Sequence, residues 1–380
     1  GANLRLYYNG LEVGVEPTSI PLPTVNGLWV LGKRTDGPEQ FKGKMDEIRI
    51  WNTTRTPAEI LANYKNQVPD NSAGLIAYYK MNQGVSGANN TAITSLTDSS
   101  TSNLNGTFVG FTLDNNTSNF VSKSTVWNSG WSEGEPNAIT DAIIDGTYTT
   151  TPNGAFSANS LTVNSAKSLT INSLTNIKVL NEVINNGTLI VENNANLIQV
   201  NDVTNTGAIT VNRNSNALYR LDYTLWSSPV TGAQTLANFS PLTSLNRFYD
   251  YDTNGNQYVA VPSTSTFVAG KGNLIRMPNE DLLSGYNGGT ATLTYNGVFT
   301  GTPNNGNVQV TLSGFNAKYN LVGNPYPSVI DADAFIDHNN PATIESTLYF
   351  WRKKNAAIVG TAYASYTLGG ATSVEPGVPA

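Results

Sequence analysis

The chain has no cysteine, and among its 380 residues there is one histidine, His338. Without thiols there is no disulfide framework and no thiolate nucleophile. A zinc site would have a single imidazole to draw on. A Ser-His-Asp arrangement would have to recruit His338. That residue lies in Asp333-Ala334-Phe335-Ile336-Asp337-His338-Asn339, where the plainer reading is the end of a short helix with an imidazole favoured by the helix dipole. No apolar run reaches the roughly 18 residues of a membrane span. Charge is sparse, at 13% of residues, the net charge is −6 and there is no basic run, so nucleic acid is not an expected partner. The chain opens straight into a strand-like run and ends on Gly-Val-Pro-Ala; both ends are expected to be cuts in a longer protein. What is abundant is glycine, 34 residues, with Asn, Thr and Ser, while hydrophobic residues still make up 39%. That is a folded, β-rich and turn-rich composition, long enough for two or three domains.

The stretch 142–218 repeats every 20 residues. Val163, Val183 and Val203 share one phase, with Ile143 one step earlier; Leu169, Leu189 and Ile209 share a second; Ile171, Val191 and Val211 share a third. Apolar residues two apart lie on one face of a strand, and a fixed period of this length predicts a parallel β-solenoid whose coils bury their apolar sides on one another. Asn176, Asn196 and Asn216 suggest an amide column along its axis. Before it, Trp127 and Trp131 stand four apart in a Gly-rich loop. They could form a sugar-stacking platform; the plainer reading is an apolar lid on the solenoid's open end.

Residues 1–65 read as strands and one helix. Leu4, Leu6 and Tyr8 alternate up to the hairpin turn Asn9-Gly10. Further strands are expected at 29–32 and 45–51, and Thr56-Pro57-Ala58-Glu59 is a capping box opening a helix that runs to about Asn66. The strings "LRLYYNGLEV" and "FKGKMDEIRIWNTTRTPAEI" resemble the second half of a laminin-G-like, concanavalin-type jelly roll, and residues 74–121 resemble the strand pair that accompanies such domains in surface proteins of Bacteroidota. The family's first strands are not in this sequence, so a broad apolar face is expected to be left exposed. The resemblance implies ligand binding at the rim loops or concave face, with Trp29 and Tyr79 as sugar platforms and Asp46, Asp98 and Asp114 as oxygens. It also places Asp46 near the calcium site of some relatives. Asp98 could equally just start the turn Asp98-Ser99-Ser100.

Past residue 220 the period stops and strands alternate with tight turns, the pattern of an antiparallel β-sandwich. Strands are expected at 248–251 and 258–261, then 293–295, 308–312, 319–322 and 348–351, with a short helix near 331–338. The strings "DYTLWSSPV", "GKGNLIRM", "YNLVGNPYPSVIDADAFI" and "TLYFWRKK" resemble segments near the C-terminal ends of large Bacteroidota surface proteins exported by the type 9 secretion system, in which a sorting domain follows. Asp250, Asp252 and Asn254 match the opening of a calcium loop, yet position twelve is Val261 instead of Glu; a hairpin turn explains the same residues. In the solenoid the acids are Asp145, Glu182, Glu192 and Asp202. Glu182 and Asp202, 20 apart, would stack on adjacent coils at about 4.8 Å, near the carboxyl separation of retaining glycosidases, but no basic or aromatic partner stands beside them.

The sequence thus predicts an all-β chain: a laminin-G-like segment at 1–123, a short solenoid at 124–220 and an antiparallel sandwich at 221–380. The expected role is non-catalytic adhesion or display at the outer cell surface or in secreted form. Its partners would be a glycan or other surface ligand and, during export, the type 9 machinery; calcium is the one cofactor in view. The alternatives are a fragment of a solenoid carbohydrate-active enzyme and a purely structural spacer.

Overall fold

Each solenoid coil is three short strands, and the strands of successive coils stack in parallel into three sheets. The first sheet holds Lys123–Trp127, Thr140–Ile144, Leu161–Val163 and Val183–Asn185. The second holds Thr147–Thr149, Ser168–Ile171, Thr188–Val191 and Ile209–Leu218. The third holds Phe156–Ala158, Asn176–Val179 and Asn196–Gln199. The computed structural model describes residues 2–18, 28–34, 36–64, 66–84, 89–114, 119–121, 123–314, 318–339, 343–351, 363–368 and 370–372. They fall into two units, Gly1–Ser122 and Lys123–Ala380, each described here by itself.

On the second sheet the expected register is observed: Leu169 pairs with Leu189, and Ile171, Val191 and Val211 stack in one column. On the first sheet it differs. Val183 pairs with Leu161 and Val163 with Asn185, while Val203 lies outside any strand. Coils there are offset by 19 and then 22 residues. The offset of 22 is a slip of two residues, which keeps every side chain on its own face, so the hydrophobic period alone cannot detect it; the offset of 19 is a slip of one, which sets the buried Ile144, not Ile143, beside Val163. The amide column moves in the same way. Asn176 and Asn196 pair, but Asn216 belongs to the antiparallel end of its strand. The axial ladder is instead Asn201 Nδ2 to Asn181 Oδ1 at 2.8 Å, Asn181 Nδ2 to Asn159 Oδ1 at 2.7 Å, and Asn159 Nδ2 to Asp141 Oδ1 at 2.7 Å.

The inward residues Leu161, Val163, Leu169, Ile171, Ile177, Val179 and Val191 are fully buried. At the first coil Trp127 and Trp131 close the stack, packing on Tyr148 and Phe156 with ring centroids 4.8 to 5.6 Å apart; Trp127 Nε1 donates to the Thr147 carbonyl at 2.9 Å. They are a lid, with one polar atom satisfied at the rim. At the last coil the parallel order stops because the long strand Leu293–Pro303 pairs antiparallel with Ile209–Leu218, and Val230–Thr231 pairs beyond it. Trp226, Phe239, Phe248, Ile275 and Phe299 join the solenoid residues in one continuous core. Residues 124–220 and 221–380, which read as separate in sequence, therefore share both a sheet and a core.

The rest of this unit is antiparallel. Tyr223–Trp226, Asn273–Arg276, Phe248–Asp252 and Gln257–Ala260 form a four-stranded sheet in that order. Ala332–Asn339 is a helix, and Thr347–Trp351, Tyr363–Thr367 and Gly370–Thr372 form a three-stranded sheet. The strands expected at 308–312 and 319–322 are irregular; Val322 makes an isolated bridge to Lys271.

In the first unit, Ala2–Tyr8 and Leu11–Thr18 form the expected hairpin, with Asn9 (φ 50°) and Gly10 (φ 79°) both in the left-handed region that a type I′ turn needs. Leu4, Leu6, Tyr8 and Leu11 are 61–70% exposed, the open apolar face expected. The capping box opens the helix Pro57–Asn63, with Glu59 Oε2 accepting from Thr56 N at 2.8 Å. Ile48–Trp51 pairs with Leu75–Tyr79; residues 29–32 form no strand. A small core of Val68, Leu75 and Tyr78, with Trp51 against it, lies beneath.

Candidate functional site

The loop 324–328, Asn-Pro-Tyr-Pro-Ser, is organised by its own amide. Asn324 Nδ2 donates to the Ser328 carbonyl at 2.6 Å, and Asn324 Oδ1 accepts from Tyr326 N at 2.9 Å. The two prolines offer no N–H for further pairing. The loop runs along the last strand of the third sheet: Leu197 N donates to the Pro327 carbonyl at 2.9 Å and Val329 N to Asn196 Oδ1 at 2.9 Å. It blocks an edge that would otherwise offer unpaired backbone groups to a neighbour.

Residues 304–307, which follow the strand Leu293–Pro303, form the opposite wall. Asn304 Nδ2 donates to the Pro325 carbonyl at 2.9 Å, Asn305 Nδ2 to the Asn201 carbonyl at 3.2 Å, and Tyr326 Oη to the Gly306 carbonyl at 2.6 Å. Between the walls is a cleft of about 410 Å³, lined by Leu197, Gln199, Asp202, Asn305, Asn307 and Tyr326 among others. The Asp202 carboxylate lies directly under Gly306, where a Cβ would meet its oxygens at 2.1 Å. It is exposed and makes no hydrogen bond or ion pair among the described residues. Amides, a phenol and one carboxylate, with no basic side chain in the lining, can accept and donate to hydroxyls while Tyr326 offers a ring.

Asp202 is one of the two solenoid acids singled out in sequence. It and Glu182 each directly follow a rung of the amide ladder, Asn201 and Asn181, so they do occupy successive coils. Glu182 is half-buried and is not part of the cleft lining. His338 is exposed near the end of its helix.

The candidates of the first unit have other employment. Asp98 is 3% exposed. Its Oδ1 accepts from Tyr78 N and Ser100 N at 2.8 Å, and its Oδ2 from Leu104 N at 2.8 Å and Ser100 Oγ at 2.9 Å. Burial works against its charge, but the backbone donors outweigh it and hold the carboxyl below its usual range. Tyr79 Oη donates to the Leu104 carbonyl at 2.7 Å, and burial raises its phenol. The structure thus brings Tyr79 and Asp98 together as the two ties of the turn around Leu104. Trp29 is 64% exposed on the segment 28–34, Asp114 is exposed, and Asp46 is exposed beside Glu47. Glu47 itself binds Arg49 at 2.9 Å, Gln67 at 2.9 Å and the Tyr78 hydroxyl; burial and that carboxylate push Tyr78 up to about 12.

A linkage prediction follows for Asp98. Its folded-state carboxyl titrates lower than in the unfolded chain, so its contribution is present above the ordinary carboxylate value and is lost as pH falls through the lower folded value. Asp98→Asn sets an amide NH2 against the Leu104 N–H and the Ser100 hydroxyl and should cost the first unit about 1–3 kcal/mol at neutral pH, with a smaller difference in strong acid. Denaturant midpoints of both forms across that range measure this; a difference that does not shrink in acid contradicts it.

Asp250, Asp252 and Asn254 lie on and just past the strand Phe248–Asp252 of a hairpin whose turn is 253–256. Asp250 Oδ1 accepts from Tyr251 N at 2.7 Å and Asp252 Oδ1 from Asn254 N at 3.0 Å. Calcium asks for six to eight oxygens around one point. Here the carboxylates tie the turn, and among the described residues no three Asp, Glu or His side chains converge, so this set does not fit a calcium loop.

Fold and cleft together define a modular β-protein: a solenoid closed at both ends by its own chain, carrying a concanavalin-like segment. Residues 120–374 match the family described as a domain of unknown function (DUF8693), and the chain belongs to that family. The match spans the solenoid and the antiparallel half, which share one core. Residues 1–61 match the concanavalin A-like lectin/glucanases superfamily. No curated protein and no solved structure matches the chain. The cleft residues Asn305, Asn307 and Tyr326 were not foreseen as site residues. A tyrosine between two prolines in "GNPYPS" is the available signal, since such a string cannot form part of a central strand.

Proposed function

We propose that this protein is a non-catalytic module of a secreted or cell-surface protein, exported through the type 9 system, that displays a glycan-binding face on a rigid solenoid stalk. The observation that carries the binding part is the polar cleft around Asp202, a carboxylate unused by the fold and set among amides and a tyrosine. The concanavalin-like match at residues 1–61 supports a carbohydrate ligand as well. Catalysis by a carboxylate pair wants two acids facing one another across the substrate; Glu182 lies outside the lining that Asp202 joins, which supports the non-catalytic reading.

The test is a glycan array probed with the chain, with calcium and with chelator, together with a polysaccharide panel for released oligosaccharides. Asp202→Ala is expected to weaken binding of a hydroxyl-rich neutral glycan about tenfold, the worth of a charged hydrogen bond. Cleavage by the parent chain that Glu182→Ala with Asp202→Ala removes would replace this reading with the enzyme. Absence of any glycan binding would leave the spacer.

A further inference from the structure

The four-stranded antiparallel sheet has two unlike faces. Trp226, Ile275 and Phe248 point into the shared core. On the other face Tyr223 stands opposite Arg276, and Arg276 N donates to the Arg247 carbonyl at 3.2 Å, so Tyr223, Arg276 and Arg247 form a row across three chains of the sheet. Tyr249, two residues past Arg247, shares the face; its ring centroid is 5.8 Å from that of Tyr223, and its hydroxyl accepts from Arg247 Nη1 at 3.1 Å. Arg276 Nη2 donates to Ser244 Oγ at 3.0 Å and to Asn279 Oδ1, and Arg220 Nη1 reaches the Asn279 carbonyl at 3.4 Å.

All three guanidiniums are half-buried and none forms an ion pair among the described residues. In a chain with 27 acidic against 21 basic side chains, carboxylate partners are not in short supply. Asp222 and Asp281, the acids acting on the adjoining Tyr286 alongside Arg220 and Arg276, accept from backbone Tyr219 N and Leu283 N. Gathered like charges repel, the more so where water is partly excluded. The Nε atoms of Arg220 and Arg276 are in addition buried without a partner, a cost with no return inside the fold. The arginine beside it is the main cause that lowers the Tyr249 phenol, the field an incoming anion would meet.

We propose that this face, Arg247, Arg276 and Arg220 with Tyr223 and Tyr249, binds the anionic groups of an acidic polysaccharide. Arginine presents paired donors that match a carboxylate or a sulfate ester, and the two rings supply a surface for the sugar that carries it. Trp351, whose Nε1 donates to the Tyr223 carbonyl at 3.0 Å, borders the row on one side. A nucleic acid fits less well, because its affinity rests on many phosphate contacts along a basic tract, and the chain carries −6 with no such tract. The site is separate from the cleft at Asp202 and does not depend on it.

The experiment titrates the full chain with an oligouronate, a sulfated oligosaccharide, a neutral oligosaccharide of the same length and inorganic sulfate. The acidic oligomers should bind with an affinity that falls as salt is raised, whereas any binding of the neutral one should respond neither to salt nor to substitution of Arg247. Uronate against sulfated oligomer tells which anionic group is preferred. Arg247→Gln removes the side chain that donates to the Tyr249 hydroxyl; it should weaken acidic binding about tenfold. Arg247→Lys, which keeps the charge but not the fork, should recover part of the loss. Lys178→Gln on the solenoid's outer surface should leave acidic binding unchanged. The proposal is overturned if Arg247→Gln weakens acidic and neutral binding alike, if inorganic sulfate binds as tightly as the acidic oligomers, or if folded Arg247→Gln, checked by circular dichroism, binds the acidic oligomers like the parent.

Discussion

Leu189→Asp is expected to lower the melting temperature of the solenoid unit by at least 6–12 °C, from a loss of roughly 3 kcal/mol at about 2–4 °C per kcal/mol for a unit of this size. Leu189 is 1% exposed, and its backbone pairs in register with Leu169 on the coil before. The parallel pairing of Val191 with Val211 carries the neighbouring inward column into the last coil. A carboxylate there meets no cation among the buried core residues described: the inward residues of the three sheets are mostly Ile, Leu and Val, with Ala142, Ala158, Tyr148 and Phe156. It must either ionise in an apolar interior or take up a proton, and each route removes most of the leucine's transfer free energy as well. Because each coil is held by the one above and below it, and the last coil continues into the antiparallel half, the loss should appear as one cooperative transition of residues 123–380. Melting followed by circular dichroism measures it. A variant melting with the parent contradicts the stacked-coil arrangement.

Much of this was written in the sequence, and the parts that were not share a cause. The 20-residue period gave parallel coils because Leu169, Leu189 and Val191 point inward at fixed spacing. It could not give the register of the first sheet, where corners differ in length and a two-residue slip leaves the pattern unchanged. For the same reason the amide ladder was placed on Asn176 and Asn196, although Asn159, Asn181 and Asn201 carry it. The hairpin at Asn9-Gly10 and the capping box at Thr56 were legible because both are local rules. The strand Leu293–Pro303 was seen only as far as Tyr295, since its partner lies some 80 residues earlier in the chain and no local pattern reports so distant a pairing. The candidate site suffered most. Asp98 and Asp252 look like ligands in a string of letters, but side-chain oxygens are also the cheapest acceptors for turn N–H groups, and that is how the fold uses them. Asp202 stood out in sequence by its spacing from Glu182; what singles it out in space is the close approach of Gly306 and the walls that fold around it. Tyr223 and Arg276 were each inside noted strings, yet their adjacency across two strands 53 residues apart needed the sheet register.

Gly207→Ala is the second large effect expected, and a paired substitution separates its two causes. Gly207 has φ +87°, and a Cβ built there would lie 1.9 Å from the Asn185 carbonyl oxygen and 2.8 Å from its carbon. That carbonyl belongs to the last strand of the first sheet, where the chain closes its final coil: Thr206 N donates to the Val183 carbonyl at 2.9 Å, Asn185 N to the Thr206 carbonyl at 2.8 Å, and Asn185 Nδ2 to the Ala208 carbonyl at 2.6 Å. Backbone on both sides is pinned, so the methyl group cannot be accommodated by turning a flexible side chain. Gly154 also has positive φ, +104°, but nothing lies within 4 Å of its would-be Cβ. Gly154→Ala should therefore show the conformational cost alone, about 1–2 kcal/mol. Gly207→Ala adds overpacking against fixed backbone and should reach about 3–4 kcal/mol, or break the closing bridge outright. Urea midpoints of the two variants beside the parent give both numbers. Equal losses at the two positions would mean that the Asn185 carbonyl yields, and that the final coil is not closed as tightly as its hydrogen bonds indicate.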